Sequence, residues 1–76
     1  MKKIVLPDLG EGIEEATISS WHVSEGDIVK AGDDIVEIVT DKAAFNVPAN
    51  ASGVVKRIVR HEGDTVKIGE TLAEIE

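Results

Sequence analysis

The chain contains an internal repeat at an offset of 37 residues. Aligned on itself, it keeps eight identities in the seventeen pairs from His22/Val59 to Ile38/Ile75, where ordinary composition would give about one. The clearest match is the tripeptide Glu-Gly-Asp, at 25–27 and again at 62–64. Each copy is too short to bury its own apolar face. The repeat therefore predicts a pseudo-two-fold sandwich whose core lies between the two halves.

The apolar stretches are short, rich in Val and Ile, and separated by Gly, Asp and Pro, which is typical of strands joined by turns. We predict strands at 2–6, 16–23, 34–39, 45–47, 53–60 and 71–75, with short extended pieces at 28–30 and 65–67. Pro7 and Pro48 are expected just past strands, where a missing N–H does not interrupt a ladder. The pattern predicts an all-β protein. Expected core residues are Ile18, Trp21, Val23, Val29, Ile35, Ile38, Val55, Ile58, Val66, Leu72 and Ile75.

Size and composition restrict the chemistry. A chain of 76 residues buries only about 60–65% of its unfolded surface, so we expect one domain over 1–76, with halves at roughly 16–39 and 53–76. The chain has no cysteine, so thiol chemistry would have to come from an attached group. Neither metal-ligand spacing nor a set of acid, base and nucleophile is present. We therefore predict no metal site and no catalytic residue for this chain alone.

The charge is negative and unevenly distributed. The formal net charge is −7, and residues 1–41 carry all of it, with ten acids and three bases. This balance disfavours nucleic acid and anionic membranes as partners, because both favour clustered Lys and Arg. An acidic face of this kind is either a solvated surface or a docking face for a protein. No signal peptide or membrane span is recognisable, so we expect a soluble protein of the cytoplasm.

The repeat is interrupted at one turn. Copy one continues from Val39 through 40–43 and returns as 45–47, whereas copy two stops at Glu76. The pseudo-two-fold axis would map this turn onto the chain termini. We therefore expect the turn to project from the end of the domain opposite Met1 and Glu76. A tethered domain would then present Lys42 away from its tether.

Two motifs support a family resemblance. The segment 39–43, Val-Thr-Asp-Lys-Ala, followed by Val47-Pro48 and by Gly53 eleven residues after the lysine, resembles the lipoyl-lysine segment of lipoyl domains. The segment 6–12, Leu-Pro-Asp-Leu-Gly-Glu-Gly, resembles the start of the lipoyl domains of dihydrolipoamide acyltransferases in 2-oxo acid dehydrogenase complexes. The resemblance covers essentially the whole chain. It implies a flattened barrel, or barrel-sandwich hybrid, of two four-stranded antiparallel sheets with internal pseudo-two-fold symmetry.

The resemblance also assigns candidate residues. Lys42 is implied as the residue that carries lipoate in amide linkage, and Asp41 and Ala43 as the flanking residues of its recognition. The loop 8–15 has no counterpart in copy two and is either a flexible connection or, as the resemblance implies, a partner-recognition loop. The candidates for that recognition are Glu11, Glu14 and Glu15.

The implied function is that of a swinging-arm carrier of acyl groups and electrons. In such a carrier the lipoyl group, added by a lipoyl ligase or transferase, is reductively acylated by a thiamin-dependent 2-oxo acid decarboxylase. It passes the acyl group to CoA at the acyltransferase core and is reoxidised by dihydrolipoamide dehydrogenase. We expect an excised N-terminal domain of an acyltransferase, monomeric in isolation, from the cytoplasm or, in a eukaryote, the mitochondrial matrix. A stand-alone carrier protein is the alternative.

Two other functions are considered for this type of fold. A biotinyl carrier domain of a carboxylase shares the hairpin lysine, but that lysine is normally bracketed by methionines, and here the neighbours are Asp41 and Ala43. An unmodified barrel-sandwich adaptor would keep Lys42 as a free amine. Two residues depart from the lipoyl pattern. Phe45 is bulkier than expected, and Asn46 stands at a position that is commonly acidic.

Overall fold

The computed structural model describes residues 2–10 and 12–76 and consists of β-strands and turns. No helix occurs among the described residues, so the all-β prediction is confirmed. None of these residues forms a helix long and apolar enough to span a membrane. The strands are β1 (Lys2–Val5), β2 (Glu15–Trp21), β3 (Ile28–Val29), β4 (Asp34–Val39), β5 (Ala44–Pro48), β6 (Gly53–Ile58), β7 (Thr65–Lys67) and β8 (Thr71–Ile75).

The strands form two four-stranded antiparallel sheets, with the orders β1-β8-β6-β3 and β5-β4-β2-β7. Exchanging β1 with β5, β8 with β4, β6 with β2, and β3 with β7 converts one order into the other. The exchange of the last three pairs corresponds to the sequence repeat. The predicted fold, with its pseudo-two-fold symmetry, is therefore confirmed.

The Glu-Gly-Asp motif of the first copy joins one half of the molecule to the other. The Gly26 N–H donates to the carbonyl of Val55 at 2.7 Å, and the Asp27 carbonyl accepts from the Val55 N–H at 2.8 Å. The Glu25 carboxylate accepts from the Ile58 N–H at 2.9 Å. All three contacts reach β6 in the second half. Gly26 has a φ of +94°, a conformation that glycine adopts without a Cβ clash.

The second motif repeats these contacts in the reverse direction. The Gly63 N–H donates to the Ile18 carbonyl at 2.8 Å, and the Ile18 N–H donates to the Asp64 carbonyl at 2.8 Å. The Glu62 carboxylate accepts from the Trp21 N–H at 3.1 Å. Each motif therefore extends the pairing of its own half with a strand of the other half and satisfies backbone groups that the ladders leave unpaired.

The core lies between the sheets and includes eight of the predicted residues. Trp21, Val23 and Ile58 are only half-buried and pack against its edge. The sequence pattern missed adjacent buried pairs, because residues 35 and 36 are both buried, as are their repeat equivalents 72 and 73. The strand register shifts beside each pair. One shift lies between residues 34 and 36 of β4, and the other lies between residues 4 and 5 of β1, the strand that pairs with β8. A shifted register breaks the alternation of inward and outward side chains on which the prediction relied. The buried hydrophobic residues are Ile4, Leu6, Ala16, Ile18, Val29, Ile35, Val36, Ile38, Val47, Ala49, Ala51, Val55, Val66, Leu72, Ala73 and Ile75.

The predicted position of Pro48 was wrong by one residue. We expected it past a strand, but it is the last residue of β5, paired with Asp34 of β4. Because β5 is an edge strand, the missing N–H of proline leaves the ladder to β4 intact.

Candidate functional site

The turn between β4 and β5 presents the candidate lysine. The last strand pair is Val39 with Ala44, and the Thr40 N–H closes the turn by donating to the Ala43 carbonyl at 2.9 Å. Asp41, Lys42 and Ala43 are all exposed. A rigid strand on each side thus holds an accessible primary amine at the tip of a tight turn. Local sequence favours this arrangement, because strands that contain Val or Ile flank the segment 41–43, whose three residues have weak strand propensity.

The Thr40 side chain organises the same turn. Its hydroxyl oxygen accepts from the Lys42 N–H at 3.1 Å and from the Ala43 N–H at 3.2 Å. The hydroxyl also donates to the Ala43 carbonyl at 3.2 Å. A single side chain therefore holds the backbone on both sides of the lysine. The sequence interpretation assigned no role to Thr40. A threonine two residues before an exposed turn residue is the pattern that could have indicated one.

The loop before β2 passes beside the lysine. An ideal Cβ built on Gly12 would lie 3.4 Å from Lys42 Nζ, and Gly12 has a φ of +81°. Hydrogen bonds within the loop and to the barrel hold this approach: the Asp8 carboxylate accepts from the Gly10 N–H at 3.0 Å, and the Glu14 carbonyl accepts from the Ile68 N–H at 3.0 Å. The described part of the loop is thus tied down beside the turn.

A surface groove of about 490 Å³ separates the loop from the lysine turn. Asp41, Glu14 and Glu15 line it and are all exposed. The structure therefore brings three of the candidate acidic residues to one groove. Glu11 lies outside the described residues. The groove is lined by Gly12, Ile13, Glu14, Glu15, Ala16, Thr17, Val39, Thr40, Asp41 and Thr65.

The ion pairs of the described chain lie elsewhere. Lys56 pairs with Glu76 at 3.2 Å, and Arg60 pairs with Glu70 at 2.7 Å. Neither pair includes Lys42, whose Nζ lies near Gly12, one of the residues that line the groove. Over residues 2–10 and 12–76 no three His, Cys, Asp or Glu side chains are arranged to hold a metal ion.

Two departures from the lipoyl pattern have structural explanations. Phe45 is half-buried and packs against the core, which accounts for its bulk. The Asn46 side-chain oxygen lies 3.0 Å from Nε2 of His22, so it serves a contact between β5 and the residue that follows β2.

A second depression lies on the pseudo-two-fold axis and was not foreseen. Its lining includes three residue pairs related by the repeat offset: Trp21 with Ile58, residues 24 and 61, and residues 25 and 62. Trp21 donates its indole N–H to the Arg60 carbonyl at 2.9 Å. The half-buried Trp21 side chain therefore lines this depression, and its indole N–H has a hydrogen-bond partner. The prediction that Trp21 is a core residue was wrong to this extent.

Comparisons with known proteins agree with this geometry. A family model described as biotin-requiring enzyme, the biotin–lipoyl family, matches residues 2–75. The chain is 40% identical over 76 residues to the lipoamide acyltransferase component of the branched-chain alpha-keto acid dehydrogenase complex of Bacillus subtilis, covering 100% of the chain and 18% of that protein. It is 44% identical over 73 residues to the dihydrolipoyllysine-residue succinyltransferase component of the 2-oxoglutarate dehydrogenase complex of Haemophilus influenzae, covering 96% of the chain and 18% of that protein. The chain thus spans under a fifth of the length of these relatives.

Solved structures show the same fold. The solution structure of the lipoyl domain of the 2-oxoglutarate dehydrogenase complex from Azotobacter vinelandii is 41% identical, with a TM-score of 0.78 and coverage of 100% of this chain and 96% of that one. The crystal structure of Kluyveromyces lactis urea carboxylase is 30% identical, with a TM-score of 0.75 and coverage of 100% of this chain and 7% of that one. The chain therefore belongs to the biotin–lipoyl family, as a domain of the lipoyl type.

Proposed function

We propose that residues 1–76 act as one carrier domain, built from halves at 16–39 and 53–76, on which Lys42 holds lipoate in amide linkage. The observation that carries the proposal is the position of Lys42. It is exposed at the tip of a turn that two strands and the Thr40 hydroxyl hold in place. An attached arm at such a tip extends away from the barrel.

The residues at the turn fit the attachment chemistry. The neutral Lys42 amine attacks the carboxyl carbon of lipoate that ATP has activated as a mixed anhydride with AMP. A C–N bond forms, the C–O bond to AMP breaks, AMP leaves, and the nitrogen loses a proton. The reaction needs an amine that an enzyme can reach from outside, and Lys42 is exposed together with both of its neighbours.

Lipoate rather than biotin is favoured by the residues at the turn and by the relatives. Lys42 stands between Asp41 and Ala43, with no methionine beside it, and the curated relatives described above are acyltransferase components. A biotinyl carrier remains the second candidate, because the fold is also that of a segment of urea carboxylase. An unmodified adaptor module is the third.

When bound, lipoate supplies a disulfide that accepts an acyl group and two electrons at a thiamin-dependent 2-oxo acid decarboxylase, gives the acyl group to CoA at an acyltransferase core and is reoxidised at dihydrolipoamide dehydrogenase. The chain itself supplies no catalytic group to these steps. Its role is to hold the arm near several active sites at a high effective concentration. It works as part of an acyltransferase in the cytoplasm or the mitochondrial matrix.

Recognition by these enzymes uses the surface around the lysine. Asp41 and Ala43 flank it, while Glu14 and Glu15 line the neighbouring groove, with Glu11 as a further candidate. The exposed carboxylates suit a partner that offers Lys or Arg, and such contacts mainly increase association rates and specificity.

Mass spectrometry tests the proposal. The domain is incubated with lipoyl ligase, lipoate and ATP, and in parallel with biotin ligase, biotin and ATP. We expect one lipoyl addition on Lys42, absent in Lys42→Arg and retained in Lys30→Arg, which changes another exposed lysine near a turn. Addition of biotin alone would identify a biotinyl carrier. If neither group is added, the carrier function is refuted.

A further inference from the structure

The turns of the repeated unit are closed by carboxylates. In each copy an acidic side chain accepts from the backbone N–H three residues earlier, at 2.8 to 3.0 Å, and the repeat relates these turns in pairs. The accepting residues are Asp27 and Asp33 in the first copy, and Asp64 and Glu70 in the second.

The lysine turn is closed in a different way. The side chain that holds it is Thr40, whose neutral hydroxyl accepts from two N–H groups and donates to one carbonyl. One of these N–H groups belongs to Lys42 itself. The hydroxyl therefore acts on the peptide unit from which the reactive side chain extends.

The absence of charge at this acceptor has a chemical consequence. A carboxylate at position 40 could accept from the same N–H groups, but it would add a negative charge next to Asp41 and close to Lys42. An added anion favours the ammonium form of a lysine. Only the neutral amine is a nucleophile. A hydroxyl closes the turn without this disadvantage.

We propose that Thr40 is a positioning residue for the acylation of Lys42: its hydroxyl fixes the backbone of the lysine turn while leaving the amine free of an additional anion. The inference rests on the proposed function, because it concerns the reaction by which Lys42 is modified. It extends that function by naming a residue that acts through Lys42 and not by contact with lipoate.

The test uses the domain as the varied substrate of lipoyl ligase and measures kcat and KM. Thr40→Ser keeps the hydroxyl, Thr40→Val removes it, and Thr40→Asp replaces it with a charged acceptor. Thr71→Val is the matched control, since it makes the same change on β8 in the other sheet.

We expect Thr40→Ser and Thr71→Val to stay within about twofold of wild type, and Thr40→Val to lose about tenfold in kcat/KM, the order of effect of one hydrogen bond. Thr40→Asp should fall below Thr40→Ser in kcat/KM although it keeps an acceptor for both N–H groups, because the added anion favours the ammonium form, which is not a nucleophile. The loss in Thr40→Val should fall on kcat and not on KM, a division that a purely structural role would not produce once rates are normalised to the folded fraction. Circular dichroism melting of every variant establishes the folded fraction to which the rates are normalised.

Three results would overturn the inference. The first is a Thr40→Val rate equal to wild type, and the second is an equal loss in Thr40→Val and Thr71→Val. The third is a Thr40→Asp rate equal to that of Thr40→Ser, a comparison that also decides the matter if the valine variant does not fold. These outcomes are distinct from failure of the proposed function, in which wild-type Lys42 itself would take no lipoate.

Discussion

Replacing Gly53 with alanine should destabilise the barrel. Gly53 begins β6, and an alanine Cβ there would lie 2.5 Å from the Glu76 carbonyl oxygen and 2.8 Å from Cγ2 of Ile75. The Glu76 carbonyl cannot move freely, because it accepts from the Val54 N–H at 2.9 Å. Ile75 is 1% exposed and is held by the core. Room for the methyl group therefore requires a change in the backbone pairing, in core packing, or in both.

The magnitude follows from these contacts. Losing the Val54–Glu76 hydrogen bond costs about 0.5–1.5 kcal/mol, and forcing Ile75 away from its rotamer costs about 0.5–1.5 kcal/mol. Alanine also restricts the unfolded chain, which stabilises the folded state by about 0.4–1 kcal/mol. With each contribution near the middle of its range, the net loss in the free energy of unfolding is about 1–2 kcal/mol. For a domain of this size that lowers the Tm by roughly 4–16 °C.

Thermal melting by circular dichroism and urea unfolding at 25 °C would measure this loss. Lipoylation of Lys42 in the folded Gly53→Ala protein should proceed at the wild-type rate, because Gly53 lies in the other sheet from the β4–β5 turn. An unchanged Tm would refute the packing explanation. An unchanged Tm with slower lipoylation would instead place this motif glycine in recognition.

Three further predictions concern the core, the surface charge and the modification. Ile38→Ala, at a fully buried position, should lower the free energy of unfolding by about 2–5 kcal/mol in urea titrations; a loss under 1 kcal/mol would contradict tight packing there. The Lys67 N–H and then the Arg60 guanidinium hold the pKa of Glu70 below its ordinary value of 4.5, so Glu70 stabilises the fold above that pH and the contribution disappears as pH falls through the lowered pKa. The stability difference between wild type and Glu70→Gln should therefore shrink on acidification below about pH 4.5, and a constant difference would contradict this. Lipoylation of Lys42 removes one positive charge from a chain of formal charge −7, so the modified domain should migrate further toward the anode on a native gel; equal mobility after confirmed lipoylation would contradict it.

The lysine turn was largely predictable, whereas the surface around it was not. Lys42 lies between two strands whose apolar residues are visible in the sequence, so its exposure on a turn needed only local information. The approach of Gly12 to Lys42 Nζ depends on hydrogen bonds that tie the loop to the segment after β7. Those partners are distant in sequence, so local patterns of residues cannot predict that they form hydrogen bonds.

The sequence by itself determined the strands, the repeat and the turn that bears the lysine, since periodicity, turn residues and self-similarity act over short stretches of chain. Tertiary structure decided what the repeated residues do. The two Glu-Gly-Asp motifs matched in sequence, but their exchange of hydrogen bonds between halves became visible only with the sheets in register. The same holds for Gly53, whose missing Cβ makes room for the backbone of Glu76. Such contacts arise only where strand pairing brings distant residues together, because the interactions that select them act through space and not along the chain.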